Sequence, residues 1–180
     1  MALRKWKKIS TEEPAVNPWW AYRIDDYTFP GGKQGKYYYA FTYGSVFIVP
    51  VTDSGKILMV NQYRYLNDRF SIEFPGGGIK EGEEPLFVAR KELIEETGFE
   101  GNIEKIGVFN PFNGITNEIC HVHIARNLKP SSVYKKDDSE EFELCEFSVD
   151  EIENMIYSNE IYDGMSLATW ALVRRKLVSG

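Results

Sequence analysis

The sequence predicts a mixed α/β (α+β) sandwich, and three observations predict it. Short β-prone runs broken by turn residues come first, a helix with conventional start and stop signals follows, and two further helical patterns lie near the end. The 180 residues suit one ordinary domain, and a composition 43% hydrophobic and 27% charged belongs to a chain that buries a core.

Residues 19–29 and 36–42 are aromatic and β-prone, and the stretch 30–35 between them reads as a hairpin loop. They make an N-terminal antiparallel β arm over 1–44, ahead of a main domain at 45–180. Residues 45–51 and 56–63 flank a turn at 52–55, and the first strand is so continuously apolar that both its faces should be buried. A short strand at 69–74 ends at Pro75, after which Gly76, Gly77 and Gly78 open a loop running to Glu84.

Pro85 suits the first turn of a helix and Gly98 its C-terminal cap, so 85–97 reads as one helix. Strands are expected at 103–109, 119–125 and 142–147. Ser148 and Glu151 form a capping box for a helix carrying Ile152, Met155 and Ile156 on one side, and a last helix covers 163–177.

Twenty-one basic against 27 acidic residues leave a net charge of −6, a sign with no general attraction to nucleic acid or anionic membrane, so neither is expected as a partner. The imbalance is local: residues 73–104 hold nine glutamates against Lys80, Arg90 and Lys91. Cys120 and Cys145 lack the spacing of a zinc site and read as reduced core thiols. The basic start is followed by no apolar run, and a soluble cytoplasmic protein is expected.

On the helix at 85–97, at roughly 100° per residue, Leu86, Ala89, Leu93 and Thr97 share one face, Glu92, Glu95 and Glu96 a second, and Phe87 and Ile94 a third. Two separate apolar sides predict a sandwiched helix with its carboxylates in a cleft. Like charges spaced i, i+3 and i+4 repel unless a cation intervenes, and a hard cation such as Mg²⁺ would relieve them.

These residues belong to a longer pattern. Gly77, Glu83, Glu92, Leu93, Glu95, Glu96, Gly98 and Phe99 fall in register with the Nudix box, Gx5Ex7REUxEExGU with U a bulky apolar residue, and only Lys91 departs from it. The chain thus resembles the Nudix hydrolases over about 45–177. Asn61 to Tyr65, Glu73 to Gly77 and the stretch 110–118 resemble the ADP-ribose pyrophosphatase branch, which also hydrolyses other nucleoside diphosphate sugars.

The resemblance implies a Nudix fold, a mixed central sheet with a loop and helix carrying the box. It also implies Mg²⁺, with Mn²⁺ as a substitute, held by Glu92, Glu95, Glu96 and the Gly76 carbonyl. The activity implied is cleavage of a nucleoside diphosphate sugar to a nucleoside monophosphate and a sugar phosphate. The acidic loop 137–141 occupies the place of a further catalytic glutamate, Glu140 or Glu141. Arg64 and Glu73 stand where the branch meets its substrate, and Trp20 and Tyr22 are candidates for stacking on the base. Gly77, Glu83, Lys91 and Gly98 are structural, Glu83 as a partner of Lys91. Nine aromatics within 19–42 exceed what a hairpin hides alone, so a homodimer through the arm is expected. A nucleoside triphosphate or dinucleoside polyphosphate hydrolase, and a catalytically silent nucleotide-sugar sensor, are the other readings.

Overall fold

The structure is a computed structural model and describes residues 3–133 and 141–178. In chain order the strands are β1 (Lys7–Val16), β2 (Ala21–Thr28), β3 (Gln34–Phe41), β4 (Ser45–Pro50), β5 (Ile57–Arg64), β6 (Arg69–Glu73) and β7 (Gly76–Gly78). Then come helix α1 (Pro85–Thr97), β8 (Phe99–Phe109), β9 (Cys120–Pro130), β10 (Phe142–Phe147), α2 (Val149–Tyr157) and α3 (Gly164–Val178). The expected mixed α/β class is borne out, and no helix among the described residues is long and apolar enough to cross a membrane.

The chain divides into two compact units, one of Met1–Tyr43 with Asn110–Glu118 and one of Gly44–Phe109 with Ile119–Gly180. The first unit keeps the expected hairpin, β2 paired antiparallel with β3, and adds a strand the sequence did not predict, giving three strands in the order β1-β2-β3. β1 is exposed at every residue, so no alternation marks it in the sequence. Its register comes instead from polar pairs such as the Thr11 hydroxyl donating to Asp25 at 2.6 Å, and from the Trp6 ring stacked on Tyr27 at 4.7 Å. The 110–118 segment joins this unit: Ala40 N–H donates to the Ile115 carbonyl, and Asn117 exchanges two hydrogen bonds with the Thr42 backbone.

The second unit contains a four-stranded sheet, β7-β4-β9-β8, and a three-stranded sheet, β10-β5-β6. β4 and β9 run parallel and the other pairs antiparallel, which makes the first of these sheets mixed. As expected, β4 is buried along its whole length, and alternation sends its residues to two cores. Phe47 and Val49 join Ile57, Met59, Ile124 and Trp170 in one cluster, while Val46 and Ile48 meet Val88, Ala89 and Leu93 of α1 in the other.

The glycines expected to open a loop form a strand. β7 pairs with β4 in the register Val46↔Gly77, and a Cβ on Gly76 would run into the Val46 carbonyl oxygen, so this close approach requires glycine. Helix α1 has the expected bounds, with Pro85 at its start and Gly98 at φ 76° closing it by donating its N–H to the Ile94 carbonyl. The predicted sandwiching does not hold: Val88, Ala89, Leu93 and Thr97 are buried, whereas Leu86 and Phe87 are exposed. One sheet covers one face, and Ile94 lines a cavity on another.

Candidate active site

The glutamate-rich face of α1 is set against β7 by the sheet register. Gly76 N–H donates to Glu96 Oε2 at 2.8 Å, and a Cβ on Gly77 would meet the Glu92 carboxylate at 2.5 to 2.8 Å. The missing side chain at Gly77 is therefore a cradle in which the Glu92 carboxylate lies against backbone. Glu92, Glu95 and Glu96 are all half-buried. Lys91 bridges two of them, 2.7 Å from Glu95 and 3.4 Å from Glu92, and its bond to Glu95 raises the ammonium's pKa above the ordinary value. One cation thus offsets part of the repulsion among three neighbouring carboxylates.

Glu83, expected to partner Lys91, instead accepts from the Lys80 N–H at 2.9 Å and so closes the turn leading into α1. A two-point arginine contact is replaced here by a lysine that reaches along its own helix, one turn on, to Glu95.

Among the described residues no three histidine, cysteine, aspartate or glutamate side chains converge as a metal-holding group. The donors nevertheless fit a hard divalent cation in kind: carboxylate oxygens on successive turns, a backbone strand of glycines alongside, and a Glu92 carboxylate seated where a side chain would otherwise stand.

Arg64, at the end of β5, is held by two hydrogen bonds to Glu73, one of them from Nε to Oε1 at 2.8 Å. Glu73 is 4% exposed and also accepts from the Gln62 amide at 3.4 Å. The Glu73 bond, with smaller contributions from the charges of Asp163 and Glu96, raises the Arg64 pKa. The two residues expected to meet substrate are therefore one ion pair, a buried carboxylate holding a half-exposed guanidinium, whose cation feels the carboxylate of Glu96.

Glu141 is exposed, immediately before β10, and lines a cavity of about 400 Å³ with Asn61, Phe70 and Phe142. Glu140, with Asp137, Asp138 and Ser139, lies outside the described residues. Trp20 and Tyr22 belong to the first unit, Trp20 exposed and Tyr22 half-buried on β2 opposite Ala40. His121 and His123 lie on the β9 face shared with Ala125; burial pushes both imidazoles down in pKa, and the Lys105 charge adds to this.

Sequence reasoning passed over Ser71, Tyr162 and Asp163. With Arg64 and Glu73 they line a cavity of about 330 Å³ between β6 and the start of α3. The readable signal was Ser71 and Glu73, two polar residues two apart on one strand face and both buried.

Three comparisons bear on this geometry. A family model described as the NUDIX domain matches residues 42–165. The chain is 36% identical over 142 residues to an ADP-ribose pyrophosphatase of Bacillus subtilis, covering 78% of this chain and 77% of that one. It is 32% identical over 163 residues to a methanol dehydrogenase activator of Bacillus methanolicus, covering 89% and 88%. A solved structure described as an ADP compounds hydrolase superposes with a TM-score of 0.84 at 20% identity, covering 99% of this chain and 97% of the other, a likeness of fold.

Proposed function

The chain belongs to the Nudix domain family, and from that premise we propose that it is a Mg²⁺-dependent hydrolase of the diphosphate bond in nucleoside diphosphate sugars, ADP-ribose first among them. The observation that carries this reading is the pairing of α1 with the glycine strand: Glu96 fixed by the Gly76 N–H and Glu92 cradled at Gly77. Its relative from Bacillus subtilis bears the name of that activity.

Glu92, Glu95, Glu96 and the Gly76 carbonyl would hold the cation, with Mn²⁺ able to substitute. When bound, it neutralises charge on the diphosphate and acidifies a water molecule. Arg64, fixed by Glu73, keeps further N–H donors for a phosphate oxygen. A carboxylate of the acidic loop, Glu141 or its neighbour Glu140, takes the proton from the attacking water. The new phosphorus–oxygen bond forms as the bridging bond breaks, leaving a nucleoside monophosphate and a sugar phosphate. The intact set of box glutamates supports hydrolysis over a silent sensor.

We also propose that the arm at 1–44 joins two copies of the chain and that Trp20 and Tyr22 stack on the base. Exposed Trp19, Trp20 and Tyr38 support this. Light scattering at micromolar concentration should give the mass of a dimer; a fully active monomer would remove the interface. Cys120 and Cys145, neither of them in a disulfide, support a cytoplasmic location.

The hydrolase reading is tested by a screen of nucleoside diphosphate sugars for monophosphate release, run on the parent and on Glu96→Gln. The variant should keep its circular dichroism and lose about 100-fold or more of its Mg²⁺-dependent turnover, at least what removal of a supporting ligand costs. Near-parental turnover in a folded Glu96→Gln protein would sink the assignment.

A further inference from the structure

A cavity of about 820 Å³ lies against the side of α1 turned away from its carboxylates, walled by the helix, the start of β8, the end of β9 and Asp53 of the turn between β4 and β5. Arg90 and Ile94 line it. Each stands two residues from Glu92, which at roughly 100° per residue puts them on nearly the opposite face of the helix. Among the described residues, none with a role in the proposed reaction lines this cavity.

The charges around it are uncommitted. Along α1 the positions within reach of Arg90 are Leu86, Phe87, Leu93 and Ile94, all apolar, so its guanidinium finds no partner on its own helix, whereas Lys91, one residue on, is held by Glu95 and Glu92. Lys129, Asp53 and Glu100 also line the cavity, and among the described residues none of these four charges is in an ion pair or a side-chain hydrogen bond. The same holds for the side-chain amides of Asn102 and Asn127.

The wall formed by β8 and β9 departs from a regular ladder. Glu100 pairs with Lys129 and Asn102 with Arg126, so Gly101 stands against both Asn127 and Leu128 in a β-bulge. Asn127 takes the left-handed conformation at φ 55°, and a Cβ on Gly101 would meet the Arg126 carbonyl oxygen at 2.7 Å. A regular strand sends successive side chains to opposite faces, yet Asn127, Leu128 and Lys129 all line the one cavity. Re-aiming side chains in this way is what a bulge does beside a binding site.

That set of groups selects among ligands. An inorganic anion would engage Arg90 and Lys129 but would also face two carboxylates. An apolar molecule would cover Leu93 and Ile94 and leave four charges without water. A nucleoside monophosphate uses every group: its phosphate accepts from Arg90 and Lys129, its ribose hydroxyls donate to Asp53 or Glu100, and its base edge meets amides that both donate and accept. The face of the base then rests on the leucine and isoleucine of α1. The volume falls within the range of about 300–1,000 Å³ usual for small-molecule sites.

We propose that this cavity is a second nucleotide site, separate from the catalytic cleft, that takes a nucleoside monophosphate with Arg90 and Lys129 as its phosphate-binding residues. On the hydrolase reading this ligand is also a product of the reaction, but binding at the site does not require that reading.

The test titrates adenosine monophosphate (AMP), adenosine and inorganic phosphate by calorimetry into the full chain without divalent metal, for the parent, Arg90→Gln and Lys129→Gln. Both side chains are exposed, so both variants should keep the parent's circular dichroism. The parent should bind AMP about tenfold or more tightly than either fragment, and each variant should weaken AMP about tenfold, the scale of one charge-assisted hydrogen bond. Initial rates of ADP-ribose hydrolysis should stay within about twofold of the parent in both variants. Hydrogen exchange places the ligand: AMP should protect the backbone of residues 100–103 and 127–129.

A parent that binds AMP in this way but cleaves no nucleoside diphosphate sugar refutes the hydrolase reading and leaves the second site standing. A parent that does not bind AMP, variants that bind it as the parent does, phosphate bound as tightly as AMP, or protection confined to β6 and β7 would each overturn the second site.

Discussion

β1 and β4 are both regular strands paired to neighbours, yet β4 is buried at every residue and β1 exposed at every residue. β4 is fixed by what its side chains bury: alternate residues enter two apolar clusters, and a slip of one position would exchange them. β1 buries nothing and is fixed by what its side chains reach across to: Ser10 and Thr11 to the aspartates of β2, Glu13 to Arg23, with Trp6 over Tyr27. Its pairing accordingly tolerates two register shifts. The difference teaches where chemistry can be held to fractions of an ångström. The carboxylates of α1 rest on the β4 register through β7, and so inherit the rigidity of the packed core.

The largest effect should come from breaking the packed side. Leu93→Ala, in the cluster under α1, is expected to cost about 2–5 kcal/mol in chemical denaturation, the range for truncating a buried leucine. Thr11→Ala on β1 should cost no more than about 1 kcal/mol, the scale of one exposed polar pair. Equal losses would erase the distinction between the two regions.

The same distinction decides what could be read from sequence. β4, the bounds of α1 and the capping box of α2 were legible because each rests on local pattern: an apolar run, Pro85 and Gly98, and the Ser148 and Glu151 pair that the structure joins reciprocally. β1 was not legible, since its partners lie 10 to 16 residues away and its own composition is that of a solvated loop. β7 was hidden because glycines signal freedom, and only the nearness of the Val46 carbonyl and the Glu92 carboxylate shows that they serve close approach instead. At the site, the carboxylates and Arg64 were legible as motif residues, but the Arg64 and Glu73 ion pair is a cross-strand relation, and Ser71 and Tyr162 meet only through the fold.

A smaller effect sharpens the comparison on the helix itself. Lys91 joins Glu95 and Glu92 by the half-exposed polar pairing that also orders β1. Lys91→Arg retains the charge and allows a two-point contact with a carboxylate, so steady-state turnover should stay within about threefold of the parent or rise. A large fall in kcat would mean that the packing around α1 depends on the lysine itself.

The most direct measurement compares two adjacent glycines of β7. A Cβ at Gly77 would meet the Glu92 carboxylate at 2.5 Å, whereas at Gly78 it would meet nothing within 4 Å. If the glycine strand seats the carboxylates that hold the cation, Gly77→Ala should lower Mg²⁺-dependent hydrolysis of ADP-ribose about 100-fold, as losing a supporting shell does, with Gly78→Ala close to the parent and both proteins folded. Equal activity in the two variants would contradict it.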